Sequence, residues 1–337
     1  MAVALITTGG TIVSQHTGGS SLAEPTLNGQ ALLDAIGIFG RIGAVEVFDT
    51  IRVPSPQIGL EDWRTLQGLV QELLDRQDIN GAVITHGTST MEETAWFLDL
   101  TLFTDKPVVM TGAQRNASEP DSDGPRNLFN AIMICNEMAL RKMGGVVVAL
   151  NDGIHAAREV AKSQTLNVET FNSGTWGALG HVRGGRVFFH RAPLRRLHVP
   201  LRAQSLPKVV IVPMYVGAQG DLVEAAVAGG AAGIVVQSVA SGHVNASMHE
   251  ALVEALARGV PVVLATRIPS GGTRVGYRFA GSSHSLVSEG AVLSDDLSPW
   301  KARILLMLAI QSGWPRAALD GLFARDVIPA YSAELPA

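Results

Sequence analysis

Residues 83–94, VITHGTSTMEET, constrain this chain more than any other stretch. An apolar run over residues 81–84 stops abruptly at Thr85. Small or polar residues follow, and from Met91 the pattern MEETAWFL reads as a helix. Glu92 and Glu93 fall in its first turn, where the positive end of the helix dipole favours acids. A strand that hands directly to a helix leaves its turn at the carboxyl edge of a parallel sheet. Open α/β folds bind ligands at that edge. Taken alone, the segment reads equally well as a plain connection with Ser and Thr caps.

A second stretch of the same design shifts that balance. Val3-Ala4-Leu5-Ile6 is apolar, and Thr7-Thr8-Gly9-Gly10-Thr11-Ile12 follows. Two glycines permit a tight turn and close backbone approach to a ligand. Thr11 and Thr88 therefore both follow strand ends and can face one pocket. The pair TGGTI and HGTSTMEETA, in this order, resembles the bacterial-type L-asparaginase/glutaminase family. The resemblance covers nearly the whole chain, through KPVVMTGAQR, SDGPRNLFNA, the segment ending in Lys162, and KARILLMLA near the end.

The rest of the chain fits a two-domain α/β enzyme. Residues 27–36 read as a helix, and 45–48 and 51–53 as strand, broken by Pro54-Ser55-Pro56-Gln57. Leu60 opens a helix to Leu74 with Trp63, Leu66, Val70 and Leu73 on one face. Residues 106–112 read as a strand and 126–142 as a helix with Pro125 in its first turn. Residues 145–150 are a strand ending in the turn Asn151-Asp152-Gly153, and Gly184-Gly185 marks a hairpin. This alternation indicates βαβ units and a mainly parallel sheet. Three prolines and the basic cluster Arg191, Arg195, Arg196 and Arg202 mark a linker. The expected organisation is an α/β domain over residues 1–190, a linker over 191–207 and a smaller α/β domain over 208–337. In the latter, strands at 209–212, 233–236 and 260–265 alternate with helices at 221–228 and 248–258. Helices at 300–311 and 317–323 follow.

Composition narrows the function. Of the 337 residues 47% are hydrophobic and 17% charged, enough for large buried cores. A net charge of −4 without basic blocks argues against a nucleic-acid partner. No apolar run approaches the ~20 residues that span a bilayer, and the sequence shows no signal-peptide pattern, so a cytoplasmic location without a membrane partner is expected. The single Cys135 excludes an internal disulfide and reads as a core thiol. The nine His are scattered without paired spacing, so no metal is expected, and His86 reads as structural.

The family resemblance implies metal-free, cofactor-free hydrolysis of a small-molecule side-chain amide through a threonine nucleophile. It implies a homotetramer, a dimer of dimers, with each pocket completed by a neighbour's C-terminal domain. Carried over by position, the first threonine is Thr11. The second is Thr88, hydrogen-bonded to Lys162, and the serine that holds a substrate carboxylate is Ser55. Gly10, Gly87 and the turn amides supply close backbone. A threonine hydroxyl needs a base or proton relay, and a desolvated lysine beside a second hydroxyl can provide one.

Three departures concern the partners of a substrate ammonium. The family has Asp where this chain has Ser89, and an amide where it has Pro56. Gly276-Tyr277-Arg278-Phe279 replaces the segment that brings an acid from the neighbour. The lid, residues 15–24, also lacks the family's tyrosine. Of the three tyrosines, Tyr215, Tyr277 and Tyr331, Tyr277 is placed to assist Thr11 from the neighbour. Arg274 or Arg278 brings positive charge to the same region. Three readings follow. The first is an amidohydrolase for an amide other than free L-asparagine. The second is an L-asparaginase, releasing L-aspartate and ammonia, with a rearranged ammonium site. The third is a catalytically silent binding or regulatory protein.

Overall fold

The computed structural model describes residues 1–17, 22–37, 40, 42–193 and 197–323. Parts of the expected lid, Arg195 and Arg196 of the basic cluster, and Tyr331 lie outside these residues. The chain forms two compact units, Met1–Arg196 and Leu197–Ala337.

In the first unit the strands are β1 (Ala2–Thr7), β2 (Ser14–His16), β3 (Ala23–Pro25), β4 (Val45–Asp49), β5 (Ile79–Thr85), β6 (Val108–Thr111), β7 (Val146–Leu150), β8 (Gly153–Ala156), β9 (Ala161–Lys162), β10 (Phe171–Asn172), β11 (Gly180–Arg183) and β12 (Arg186–Phe189). The helices are α1 (Gly29–Ile36), α2 (Leu60–Asp75), α3 (Met91–Thr101), α4 (Gly124–Cys135) and α5 (Met138–Met143). Eight strands form one sheet in the order β12-β11-β8-β7-β6-β5-β1-β4. The five from β4 to β7 run parallel; β1, β5, β6 and β7 are buried apolar runs, while the edge strand β4 is half-buried. The expected parallel sheet is present and becomes mixed at one edge, because Asn151 and Asp152 adopt positive φ and turn β8 back along β7.

The topology places a switch point at β1. The chain leaves β1 for β4 on one side and returns through α2 to β5 on the other. The crevice at such a reversal is the usual ligand site of open α/β sheets. Here the strand ends are level: Thr7 pairs in register with both Asp49 and Thr85, and Thr85 with Thr111. Four loops therefore leave one edge together.

Two local expectations are corrected. Residues 51–53 form no strand. β4 ends at Asp49, whose carboxylate accepts from the Thr7 hydroxyl (2.6 Å), and β1 offers nothing further to pair with. The helix expected over 126–142 is two helices, α4 and α5. The Asn136 side chain turns back to donate to the Ile132 carbonyl (3.0 Å) and ends the first.

The second unit has four parallel strands in sequential order: β13 (Val209–Pro213), β14 (Gly233–Ser238), β15 (Val262–Thr266) and β16 (Val292–Leu293). Helices α6 (Asp221–Ala228), α7 (Ala246–Ala257), α8 (Ser283–Ser288), α9 (Pro299–Gln311) and α10 (Arg316–Phe323) complete it. α8 and β16 are too short to show periodicity and were not foreseen.

One buried chain of hydrogen bonds fixes the turn after β5. The Trp63 indole N–H donates to Thr94 Oγ1 (2.9 Å), which lies 3.0 Å from His86 Nε2, and His86 Nδ1 lies 2.8 Å from the Gly87 carbonyl. A carbonyl only accepts, so Nδ1 carries the proton, Nε2 accepts from Thr94, and the imidazole is neutral. Ten of the eleven α3 residues are buried, so the helix that follows cannot shift without disturbing the core. Burial holds the His86 pKa below the ordinary 6.5, at about 4. The unfolded chain thus takes up this proton near pH 6.5 and the folded chain only near pH 4. His86 favours the fold fully above pH 6.5, and that support fades as pH falls toward 4. Its share of acid destabilisation is at most about 3 kcal/mol. We predict that His86→Gln is less stable at about pH 7 yet loses less stability than the wild type on going to about pH 4.5, read from urea midpoints. Equal losses in the two proteins would assign the effect to other groups.

Candidate active site

The turn after β1 is tied to the end of β5: Thr8 donates to the Thr85 carbonyl from both its backbone N–H (3.1 Å) and its hydroxyl (2.8 Å). Gly9 and Gly10 follow at φ 91° and 86°, a region costly for residues with a Cβ. Thr11 then opens a single 3-10 turn, Thr11–Val13. The Ser14 hydroxyl closes it by donating to the Gly10 carbonyl (2.9 Å). Thr11 is half-buried, and among the described residues nothing holds its hydroxyl.

Thr88 is buried and tightly held. Its Oγ1 receives a hydrogen bond from Lys162 Nζ at 2.6 Å and donates to Gln114 Oε1 at 2.9 Å. Lys162 also donates to Gln114 Oε1, at 3.0 Å. The Gln114 amide is oriented by its other end, where Nε2 donates to the Thr165 and Asn167 carbonyls, each at 3.1 Å. Its backbone N–H is anchored on Asp123. Burial lowers the Lys162 pKa from its ordinary value, opposed by the Glu92 carboxylate. Lys162 sits in β9, paired with Phe171 of β10.

These residues surround one cavity of roughly 300 Å³. That is the small end of ligand pockets. Gly10, Thr11, Ser55, Pro56, Gly87, Thr88 and Ser89 all line it, as does Gln114. Lys162 is not a lining residue and reaches the cavity through Thr88. Ser55 is buried in a 3-10 turn, Ser55–Gln57, whose carbonyl accepts from the Thr90 hydroxyl (3.0 Å). Pro56 and Ser89 are exposed on the cavity wall. Among the described residues, the backbone N–H groups of Thr11, Thr88 and Ser89 have no protein acceptor, so they are available to an oxyanion or carboxylate.

Tyr277 and Arg278 belong to the second unit and are not lining residues. Both are exposed, and the Tyr277 ring packs edge-on against His243. Cys135 is buried with its pKa raised to about 12, a core thiol. No group of three or more His, Cys, Asp or Glu among the described residues is placed to hold a metal ion.

Sequence reasoning missed Gln114, Asn116 and Glu119. Gln114 was detectable: it follows Thr111-Gly112, a third strand end of the same Thr-Gly design. Asn116 and Glu119 lie in a loop without periodicity, and no sequence signal marks them.

Models of two protein families match consecutively: the N-terminal asparaginase domain over residues 2–195 and the glutaminase/asparaginase C-terminal domain over residues 208–323. The chain belongs to the asparaginase family. It is similar to the L-asparaginase 2 of Escherichia coli, at 35% identity over 91% of this chain and 88% of that one. It is similar to the glutaminase-asparaginase of Pseudomonas fluorescens, at 31% identity over 95% and 89%. Among solved structures it resembles a probable cytoplasmic L-asparaginase from Campylobacter jejuni, with TM-score 0.88 and 33% identity over 96% of this chain and 98% of that chain. Another relative, from Haemophilus influenzae, is named as a probable periplasmic L-asparaginase, so the relatives' names give both locations. As an asparaginase-family amidohydrolase, the protein acts in the class of C–N bonds other than peptide bonds.

Within this asparaginase-family site, Thr88, Gln114 and Lys162 form one hydrogen-bonded triangle. Groups that act as a unit lose activity together. We predict that Thr88→Val and Lys162→Met each lower turnover severely, and that the double variant is little worse than either single one. Losses that multiply in steady-state rates would show two independent contributions.

Proposed function

We propose that this chain hydrolyses a small amide that carries a carboxylate but no ammonium beside it, with Thr11 as nucleophile. The 2.6 Å contact between Lys162 and Thr88, behind the cavity that Thr11 lines, carries the reading. Thr11 Oγ1 attacks the amide carbonyl. Thr88 accepts the Thr11 proton as its own passes to Lys162 in the neutral form that burial favours, and the proton then returns to the leaving nitrogen. The free backbone N–H groups of the two turns face the developing oxyanion. Ammonia leaves, and water hydrolyses the threonyl ester.

The substrate follows from charge. The Ser55 wall adjoins the N-terminus of α3, which favours a carboxylate. An ammonium at the same wall would meet Ser89 and Pro56, neither of which carries a charge to pair with it. The fitting substrates are a dicarboxylic monoamide, an N-acyl asparagine or a small lactam or imide. A homotetramer in which a neighbour's Tyr277 and Arg278 reach each pocket is part of this proposal, and sedimentation equilibrium checks the assembly.

Ammonia release from a panel of small amides tests the reading. We predict kcat/KM for L-asparagine at least ~100-fold below that of the best des-amino or N-blocked analogue. Thr11→Val keeps the fold and lowers turnover by at least ~10³-fold. A preference for free L-asparagine with a micromolar KM would overturn the substrate assignment, and an unimpaired Thr11→Val would move the nucleophile to Thr88.

A further inference from the structure

Two chemically different sets of residues, or walls, line the cavity. One, around Ser55, Pro56 and Ser89, is uncharged. The other combines the β2–β3 ribbon with the loop after β6. Ser14 pairs with Pro25, the Ala117 N–H donates to the Ser14 carbonyl (2.8 Å), and the His16 N–H donates to the Ser118 hydroxyl (2.8 Å). This second wall carries Asn116 and Glu119, and Glu119 is the one acidic or basic side chain among the lining residues. Its Oε1 is held by the Asn116 side-chain amide (2.8 Å) and backbone N–H (3.3 Å). Among the described residues Oε2 has no partner. Thr11 follows β1, Thr88 lies beside Ser89, and Gln114 precedes Asn116 and Glu119 in the loop after β6.

A fixed carboxylate in a small cavity attracts N–H donors and repels carboxylates and carbonyl oxygens. An amide acid entering the cavity therefore has its own carboxylate driven to the Ser55 wall and its amide end left toward Glu119. We infer that Glu119 orients the scissile amide by accepting an N–H from its nitrogen. This deepens the proposed function and rests on it. The orientation leaves the carbonyl oxygen to the turn N–H groups. When the tetrahedral intermediate collapses, the C–N bond breaks and nitrogen keeps the bonding pair. It also keeps the proton that came from the Thr11 hydroxyl and leaves as ammonia. Glu119 gives up no proton and favours the positive charge gathering on nitrogen.

The isostere Glu119→Gln retains Oε1 for Asn116 and converts the free acceptor Oε2 into a donor. Succinamic acid and monomethyl succinate are matched probes, because the ester offers no N–H. Glu119→Gln is expected to lower kcat/KM for succinamic acid at least about tenfold, the scale of one hydrogen bond to a charged group, while leaving monomethyl succinate unchanged or faster. Equal falls for both probes would show a merely structural role, and an unchanged amide rate would show no contact; either overturns the inference. If the wild type turns over neither probe, the proposed function fails, and calorimetric binding decides Glu119 separately. A loss of affinity confined to succinamic acid supports the role. Equal or undetectable binding by both proteins overturns it.

Discussion

The arrangement depends on backbone-to-backbone approach at the carboxyl edge of the sheet. A Cβ on Gly9 would lie 2.4 Å from the Val53 carbonyl oxygen, and one on Gly10 would lie 2.5 Å from Gly87 Cα. On Gly87 it would meet Ser55 Oγ at 2.6 Å, and on Gly112 the His86 carbonyl oxygen at 2.4 Å. No side chain fits at such distances. The loops after β1, β4, β5 and β6 are thereby locked on one another, and Thr11, Ser55, Thr88 and Gln114 inherit fixed positions. Preorganised polar groups of this kind need little reorganisation during reaction. The buried Trp63–Thr94–His86 chain holds the same edge from below.

Electrostatics then divides the work. Lys162 is kept off the cavity wall and is hydrogen-bonded to two residues that line it, Thr88 and Gln114, while burial and Glu92 pull its proton affinity in opposite directions. The one acid on the wall, Glu119, comes from the loop after β6. In the proposed reaction an acid from one loop and a helix N-terminus from another give the cavity a direction, and that direction orients an amide acid.

The sequence made the strand-end threonines legible because their signal is local: an apolar run, then Gly and Thr, then a helix start. Thr11 and Thr88 were placed in one cavity for that reason, whereas Ser55 came from family resemblance. Lys162 came from family resemblance, since a short pair such as β9–β10 leaves little pattern. Gln114 and Glu119 escaped because a loop side chain gains its role from where neighbouring elements hold it, as Asp123 and Asn116 do here. The turn Asn151-Asp152-Gly153 was legible but not the antiparallel return it makes, and the break between α4 and α5 depended on the single residue Asn136. Tyr277 and Arg278 lie in the second unit, outside the set of lining residues.

The central claim is that the glycine-locked Thr11, not Thr88, forms the covalent bond to substrate. Acid quenching during turnover of a reactive amide, followed by peptide mass mapping, reads it directly. The account predicts an acyl ester on the peptide carrying Thr11, with Thr88 unmodified. An ester on Thr88, with Thr11 unmodified, would contradict it.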